Sequence, residues 1–279
     1  MILPFYIFIF FFGAAVGSFL GVVVDRLVSG ESIWKGRSHC DHCRRTLHPL
    51  DLVPLFSFLV LNRTCRYCGQ KLDWYFFIIE LVTGIAFVLA AFTIFQDSWF
   101  MLVNLQYIFL ALYYFLLIGS LIAIVFADIK FGIIPFKIVG FALFVSVFWF
   151  LLLPTLYFSP IEISILGLQT NFLNSLAAGL GAFSFFFVLF YATKGRGMGF
   201  GDVVFAFLMG FILGFPKVIL ALYIAFVTGA LVALVLIASK KKSFKGGTIP
   251  FGPFLVFGTI ISLLWGTYLI NYVMQFFTL

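Results

Sequence analysis

The sequence has 279 residues, of which 64% are hydrophobic and 10% are charged. About a quarter of the residues of a soluble domain are charged, so this composition excludes a soluble protein. It predicts an all-α polytopic membrane protein, because apolar runs in lipid must satisfy their backbone hydrogen bonds internally. The formal net charge of +7 requires no nucleic acid partner, since basic loops that face the lipid bilayer are its ordinary cause.

Long apolar runs predict about eight transmembrane helices, because roughly 20 apolar residues cross a bilayer. The sixth run is too short for a full span. The first run lacks a basic leader and is longer than the apolar region of a signal peptide, so we expect it to be retained. The predicted spans lie near residues 3–24, 74–95, 101–127, 138–158, 172–192, 202–214, 218–238 and 254–274.

The positions of Lys and Arg predict which side of the membrane each loop faces, because cytoplasmic loops carry the excess of these residues. Every Lys and Arg except Lys217 falls in the loops after the first, third, fifth and seventh spans. We therefore expect these four loops to lie in the cytoplasm and both termini to lie outside.

The most basic loop contains two C-x-x-C pairs, Cys40 with Cys43 and Cys65 with Cys68. Disulfides are disfavoured in the reducing cytoplasm, and four thiolates complete the tetrahedron that structural Zn²⁺ prefers. A redox C-x-x-C is the alternative. Between the pairs, the apolar residues 52–61 are too short to span. They either rest on the membrane surface or form the small core of the zinc segment.

Three acids interrupt or border apolar runs, where an ionised side chain is costly and therefore indicates a functional site. Glu80 lies about two turns into the second span and is either a structural hydrogen-bonding partner or part of a site. Asp128 ends the third run and Asp202 begins the sixth. These two are either unrelated interfacial acids, with Asp128 pairing Lys130 and Asp202 capping its helix, or they form one site.

A paired site would have a defined chemistry. Two carboxylates close together cannot both ionise easily, so the pair holds one proton. The ionised member can deprotonate a water while the protonated member polarises a peptide carbonyl, as in aspartic proteases. Asp202 follows a glycine-rich turn, residues 194–202, that includes Gly199 and Gly201. Glycine allows positive φ and close approach of another chain, so this turn suits a site for an extended peptide.

The order and spacing of these motifs resemble the GxGD intramembrane aspartyl proteases, and among them the bacterial type IV prepilin peptidases. The resemblance runs along most of the chain. It is carried by Gly17-Ser18-Phe19-Leu20, Arg26-Leu27, the paired C-x-x-C motifs, Glu80-Leu81-Val82-Thr83-Gly84, Asp128-Ile129-Lys130, Ile134-Pro135, Gly199-Phe200-Gly201-Asp202 and Pro250-Phe251-Gly252-Pro253.

The resemblance implies an aspartic endopeptidase of the bacterial cytoplasmic (inner) membrane, whose partners are the prepilins of type IV pili or the pseudopilins of type II secretion. Cleavage follows a Gly that ends a short basic leader, on the cytoplasmic side, where Asp128 and Asp202 act as the catalytic pair. The implied substrate and active-site loop residues are Gly199, Gly201, Lys130, Glu80, Pro250 and Gly252.

The resemblance also implies N-methylation of the new N-terminus with S-adenosylmethionine, an activity associated with the cysteine-containing segment. A peptidase without methyltransferase activity is the alternative. The expected domains are a first transmembrane helix (1–25), a zinc segment (26–73) and a seven-helix peptidase domain (74–279). The chain departs from the family pattern at Phe136 and Val204, where an acid and a Lys are common, and this bears on the electrostatics of the pair.

Two other classes of protein compete with the peptidase interpretation. A secondary transporter could use Asp128 and Asp202 as an ion relay. Against it, both acids are expected at one face of the membrane, and the two halves of the chain show no inverted repeat. A membrane scaffold could bind a partner through the zinc segment while the acids stay inert. Nothing in the sequence sets an oligomeric state.

Overall fold

The computed structural model describes residues 2–33, 36–40, 42–95, 105–156, 172–239 and 250–277. Over these ranges the chain is helical, apart from short turns and two isolated β-bridges in the cysteine segment. This confirms the predicted all-α class. The helices are α1 (Ile2–Ser29), a 3₁₀ turn (Pro49–Leu52), α2 (Phe56–Val60), α3 (Trp74–Phe95), α4 (Leu105–Phe131), α5 (Phe136–Leu156), α6 (Phe172–Ala192), α7 (Phe200–Leu213), α8 (Lys217–Ala238) and α9 (Gly252–Phe277).

The long helices follow the predicted spans to within a few residues. Six of them, α1, α3, α4, α6, α8 and α9, are long and apolar enough to cross a membrane. The described parts of α5 and α7 are shorter apolar helices, and α7, with 14 residues, confirms that the sixth predicted span is short. The sequence placed Asp128 at the end of its span, whereas α4 continues to Phe131 and includes it. Residues 101–104 and 157–158 of the predicted spans lie outside the described ranges.

The chain divides into two compact units, Met1–Ala127 and Asp128–Leu279. In the first unit α1 packs along α3 through small residues. A Cβ atom at Gly17 would lie 2.8 Å from the Cα of Glu80. A residue without a side chain is therefore required there, because a larger one would push the two helices apart.

In the second unit α7 lies in a largely buried position and packs closely on α6. The side chains of Phe205, Leu208 and Met209 are fully buried. A Cβ at Gly210 would lie 2.5 Å from the carbonyl oxygen of Ala178. The backbones of α6 and α7 are therefore in direct contact, and this contact fixes α7, whose first turn contains Asp202.

We expect Gly210→Ala to destabilise the second unit by about 1–3 kcal/mol, the usual cost of inserting an extra carbon into a packed core. The measurement is the thermal unfolding midpoint of the purified protein in detergent. Gly181→Ala on α6 is the matched control, because nothing lies within 4 Å of a Cβ built there. Equal midpoints for the two variants would contradict the close contact of α6 with α7.

Candidate active site

Asp128 lies in the last turn of α4, and its side chain is only 6% exposed. The helix ends just after it, where the N–H of Gly132 (φ 67°) donates to the carbonyl of Asp128 at 2.9 Å. The carboxylate lies against the backbone amide of Gly252. Its Oδ2 atom is buried and has no hydrogen-bond partner among the residues described. A buried carboxylate oxygen without a partner is available to a water or a substrate group.

Asp202 is the third residue of α7 and is 8% exposed. Its Oδ2 accepts a hydrogen bond from the N–H of Gly199 at 3.2 Å. An acid in the first turn of a helix is favoured by the helix dipole and satisfies a backbone donor that has no intrahelical partner. Asp202 thus makes the helix-capping contact that one of the two sequence alternatives described, and this contact is compatible with a chemical role.

The carboxylates of Asp128 and Asp202 lie close enough for the charge of Asp128 to act on Asp202. They come from two different helices, α4 and α7, and both belong to the second unit. The arrangement is thus two buried carboxylates at helix ends that interact electrostatically.

The loop before Asp202 adopts positive φ only near its start. Positive φ occurs at Lys194 (51°) and Gly195 (73°), whereas neither Gly199 nor Gly201 has positive φ. Within the glycine-rich turn, positive φ thus occurs at Gly195, as its glycine content allows. Gly201 is required for space, because a Cβ there would lie 3.0 Å from the Cβ of Ile134. The Ile-Pro motif that follows α4 thus packs directly on the GxGD turn.

The Pro-Phe-Gly-Pro motif begins α9 beside Asp128. Pro250 is half-buried and precedes the helix, and the ring of Phe251 lies 5.3 Å from that of Phe226 on α8. Gly252 is the first residue of α9, and a Cβ built on it would overlap the Oδ2 of Asp128. The motif therefore brings backbone, without a side chain, against the carboxylate.

Two other predicted site residues have different surroundings. Lys130 is exposed, and its ammonium lies 5.2 Å from the centre of the Phe131 ring. Glu80 belongs to the first unit, where its Oε2 accepts from the N–H of Leu55 at 2.7 Å and its carboxylate meets the hydroxyl of Ser18. These contacts favour the alternative in which Glu80 is a structural hydrogen-bonding partner over the one in which it is part of a site.

The four cysteines form one cluster. Their sulfur atoms all lie within 4.8 Å of one another, and Cys40 and Cys65 are buried while Cys43 and Cys68 are exposed. Four sulfurs about 2.3 Å from one tetrahedral ion would be separated by similar distances, so the cluster fits a metal. Each pair lies in a tight turn, in which Arg44 donates to the carbonyl of Cys40 and Gly69 to that of Cys65.

The thiols of the cluster differ in acidity. Burial opposes ionisation of Cys65, but hydrogen bonds from the backbone of Tyr67 and Cys68 and from neighbouring thiols lower its pKa to about 7. A backbone hydrogen bond from Gln70 favours the thiolate of Cys68, yet burial and the neighbouring thiols raise its pKa to about 11.

Sequence reasoning missed the role of Arg26. This side chain is 8% exposed, and its guanidinium donates to the carbonyls of Ser32, Ile33, Gly36 and Arg37 at 3.1–3.4 Å. It therefore orders the chain between α1 and the first cysteine pair. An Arg just after an apolar span looks like an ordinary membrane anchor, so the sequence carried no signal for this contact.

The fold and the site define a class: a multi-pass helical membrane protein with a carboxylate pair at the ends of two helices. Comparison with known proteins gives the family. A sequence model of the bacterial peptidase A24 N-terminal domain matches residues 11–94, and that of the type IV leader peptidase family matches residues 115–234. The chain belongs to the type IV leader peptidase family.

Several relatives are similar over nearly their whole length. A Bacillus subtilis (strain 168) protein is 30% identical to this chain, over 95% of this chain and 96% of its own length. An Aeromonas hydrophila protein is 26% identical over 92% of this chain and 90% of its own length. A Legionella pneumophila protein is also 26% identical, over 96% of this chain and 93% of its own length. All three are named prepilin leader peptidase/N-methyltransferase. No solved structure matches the chain significantly.

Proposed function

We propose that this chain is a membrane-embedded aspartic endopeptidase that removes the leader of type IV prepilins or pseudopilins. The observation that carries the proposal is the pair of buried carboxylates, Asp128 and Asp202, that α4 and α7 bring together in the second unit. Family membership and the names of the full-length relatives support the same activity. The peptidase domain extends over residues 74–279 and the zinc segment over residues 26–73.

The proposed mechanism of peptide hydrolysis follows from the two carboxylates of Asp128 and Asp202. Asp128 and Asp202 share one proton, and the ionised member takes a proton from a water. The resulting hydroxide adds to the carbonyl carbon of the scissile peptide bond while the protonated member donates to its oxygen. Collapse of this intermediate breaks the C–N bond, and the leaving amine receives a proton from the pair. The buried Oδ2 of Asp128, which has no hydrogen-bond partner among the described residues, supports this role.

The substrate approaches from the cytoplasm. A prepilin has a basic leader in the cytosol followed by an apolar helix in the bilayer, so its scissile bond lies at the cytoplasmic interface. The distribution of Lys and Arg supports a common cytoplasmic face for the ends of α4 and α7 that carry the acids, with both termini outside. The membrane proposed is the bacterial inner membrane. Gly252 brings the backbone at the start of α9 directly against the carboxylate of Asp128, so no side chain intervenes there.

The cysteine segment serves the second activity that the names of the relatives describe. Cys40, Cys43, Cys65 and Cys68 would hold Zn²⁺, which with four thiolate ligands has no open position and acts structurally. N-methylation of the newly exposed terminus would use S-adenosylmethionine as methyl donor. Removal of the metal should therefore impair methylation and the stability of the cysteine segment more than peptide hydrolysis.

The testing experiment is cleavage of a purified prepilin by the purified protein in liposomes, with the product N-terminus read by mass spectrometry. We expect cleavage directly after the leader Gly. A further mass of about 14 Da on the new terminus, when S-adenosylmethionine is supplied, would establish methylation. Absence of cleavage with several prepilins, from folded protein, would overturn the peptidase and make ion-flux assays the next step for the transporter interpretation.

We expect Cys65→Ser to remove the metal, because three thiolates and an alcohol bind Zn²⁺ far more weakly than four thiolates. Metal content by mass spectrometry should fall from about one ion per chain to near zero, while prepilin cleavage stays within about twofold of the original rate. Ser57→Ala, in the same segment, is the control. Retention of the metal in Cys65→Ser would contradict the four-cysteine site, and loss of cleavage in the folded variant would contradict the separation of roles.

A further inference from the structure

Residues 52–62, between the two cysteine pairs, present an exposed apolar surface. Phe58 is buried, whereas its apolar neighbours are strongly exposed, with Phe56 67%, Leu59 61% and Val60 62% exposed. These residues thus do not form the small core that the sequence left as one of two possibilities. An exposed patch of large apolar side chains needs a partner that shields it from water.

The path of this stretch is fixed against the start of α3. Leu55 donates its N–H to Glu80, and the ring of Phe58 packs at a tilt against those of Phe77 and Trp74, with 5.2 and 5.4 Å between ring centres. The guanidinium of Arg63 then lies 5.2 Å above the Trp74 ring. The chain therefore turns at Leu55, which has φ of 61°, and runs back antiparallel to the first two turns of α3.

The ends of the stretch are closed by a second set of contacts. Asp51 and Arg66 form an ion pair of 2.7 Å, and the hydroxyl of Tyr67 donates to the other carboxylate oxygen of Asp51 at 3.4 Å. Residues 52–62 are thus a hairpin with a polar, charged base and an apolar tip at Leu55.

The depth of the tip follows from its partner on α3. Trp74 begins α3, and Trp is enriched at the level of the lipid headgroups. Glu80 lies about 9 Å further along α3, at roughly 1.5 Å per residue. Because Leu55 is hydrogen-bonded to Glu80, the tip of the hairpin lies below the headgroups, beside a helix that crosses the membrane.

We propose that residues 52–62 form a re-entrant hairpin, whose apolar side chains insert into the acyl chains of the leaflet at which α3 begins. The buried Glu80 carboxylate is the positioning residue that holds the tip at this depth. The exposed basic side chain of Arg66 remains at the base, where lipid phosphates would meet it. The cysteine cluster is thereby fixed to the bilayer surface as well as to the helices.

The test is photo-crosslinking of the full chain in nanodiscs of phosphatidylethanolamine and phosphatidylglycerol. Three variants each carry one p-benzoyl-phenylalanine, and the first has it in place of Phe56. In the second it replaces Phe92, on the exposed side of α3, as the lipid-facing control. In the third it replaces the exposed Gln70 as the aqueous control. We expect lipid adducts, detected by mass spectrometry, at positions 56 and 92 and not at 70. The proposal would be overturned by lipid adducts at position 92 without any at position 56. It would also be overturned if position 56 formed crosslinks only to protein.

Substitution of Glu80 tests its positioning role in the same assay. Glu80→Ala removes the acceptor for Leu55, and we expect the lipid adducts at position 56 to fall roughly threefold or more. Glu80→Gln keeps an acceptor oxygen and should retain them. Adducts at position 92 should be equal in both variants. Equal adducts at position 56 in Glu80→Ala and Glu80→Gln would show that Glu80 does not hold the hairpin.

Discussion

Asp128→Asn and Asp202→Asn are each expected to slow prepilin cleavage by about 10²–10⁴-fold, the range that positioned acid–base groups contribute. Asn has nearly the size of Asp but neither accepts nor supplies the proton that the reaction needs. The measurement is kcat/KM for a purified prepilin in liposomes. Binding should persist, because Asn preserves the shape of the site.

Asp73→Asn is the matched control, since Asp73 is an exposed acid just before α3. It should leave kcat/KM unchanged. The double variant Asp128→Asn/Asp202→Asn should be about as slow as either single one, because two groups that act as one unit have non-additive effects. Retained cleavage in folded Asp128→Asn would exclude the pair as the catalytic device, and additive losses would indicate that the two acids act independently.

Gly252→Ala is expected to lower kcat by about 100-fold, a loss typical of a displacement of about 1 Å in an active site. The added methyl group would overlap the Oδ2 of Asp128, so either the carboxylate or the start of α9 must move. The measurement is the rate of prepilin cleavage at saturating substrate, with the thermal unfolding midpoint recorded to verify that the variant is folded.

Gly140→Ala on α5 provides the comparison, because a Cβ there meets no atom within 4 Å. It should cleave at the original rate. A large loss in Gly252→Ala, alongside normal activity in Gly140→Ala, separates the contact with Asp128 from a general effect of adding a methyl group to a helix. If both variants were fully active, Gly252 would not be part of the site.

Apolar runs predicted the helices well because hydropathy is a local property. A segment that crosses lipid must be apolar along its whole length, so its ends can be located from the sequence alone. Two helices extend past the ends of their apolar runs: α1 reaches Ser29, and α4 continues through Asp128 and Lys130 to Phe131. Backbone hydrogen bonding extends a helix past the edge of the apolar run, and this places the acid inside the last turn.

The contacts that build the site could not be predicted in the same way. The proximity of Gly252 to Asp128 and of Gly201 to Ile134 joins residues that are distant in the sequence, and no local period encodes it. Composition identified the acids as unusual, and the motif resemblance paired them. The positioning of Leu55 by Glu80 was likewise invisible, because a buried acid in a span has the same sequence signal whatever its partner.

All four cysteines belong to the unit Met1–Ala127, whereas both carboxylates of the pair belong to Asp128–Leu279. The codons for the four cysteines and those for the two acids therefore lie in separate stretches of the gene. A deletion confined to the cysteine segment would remove one set and leave every codon of the other intact.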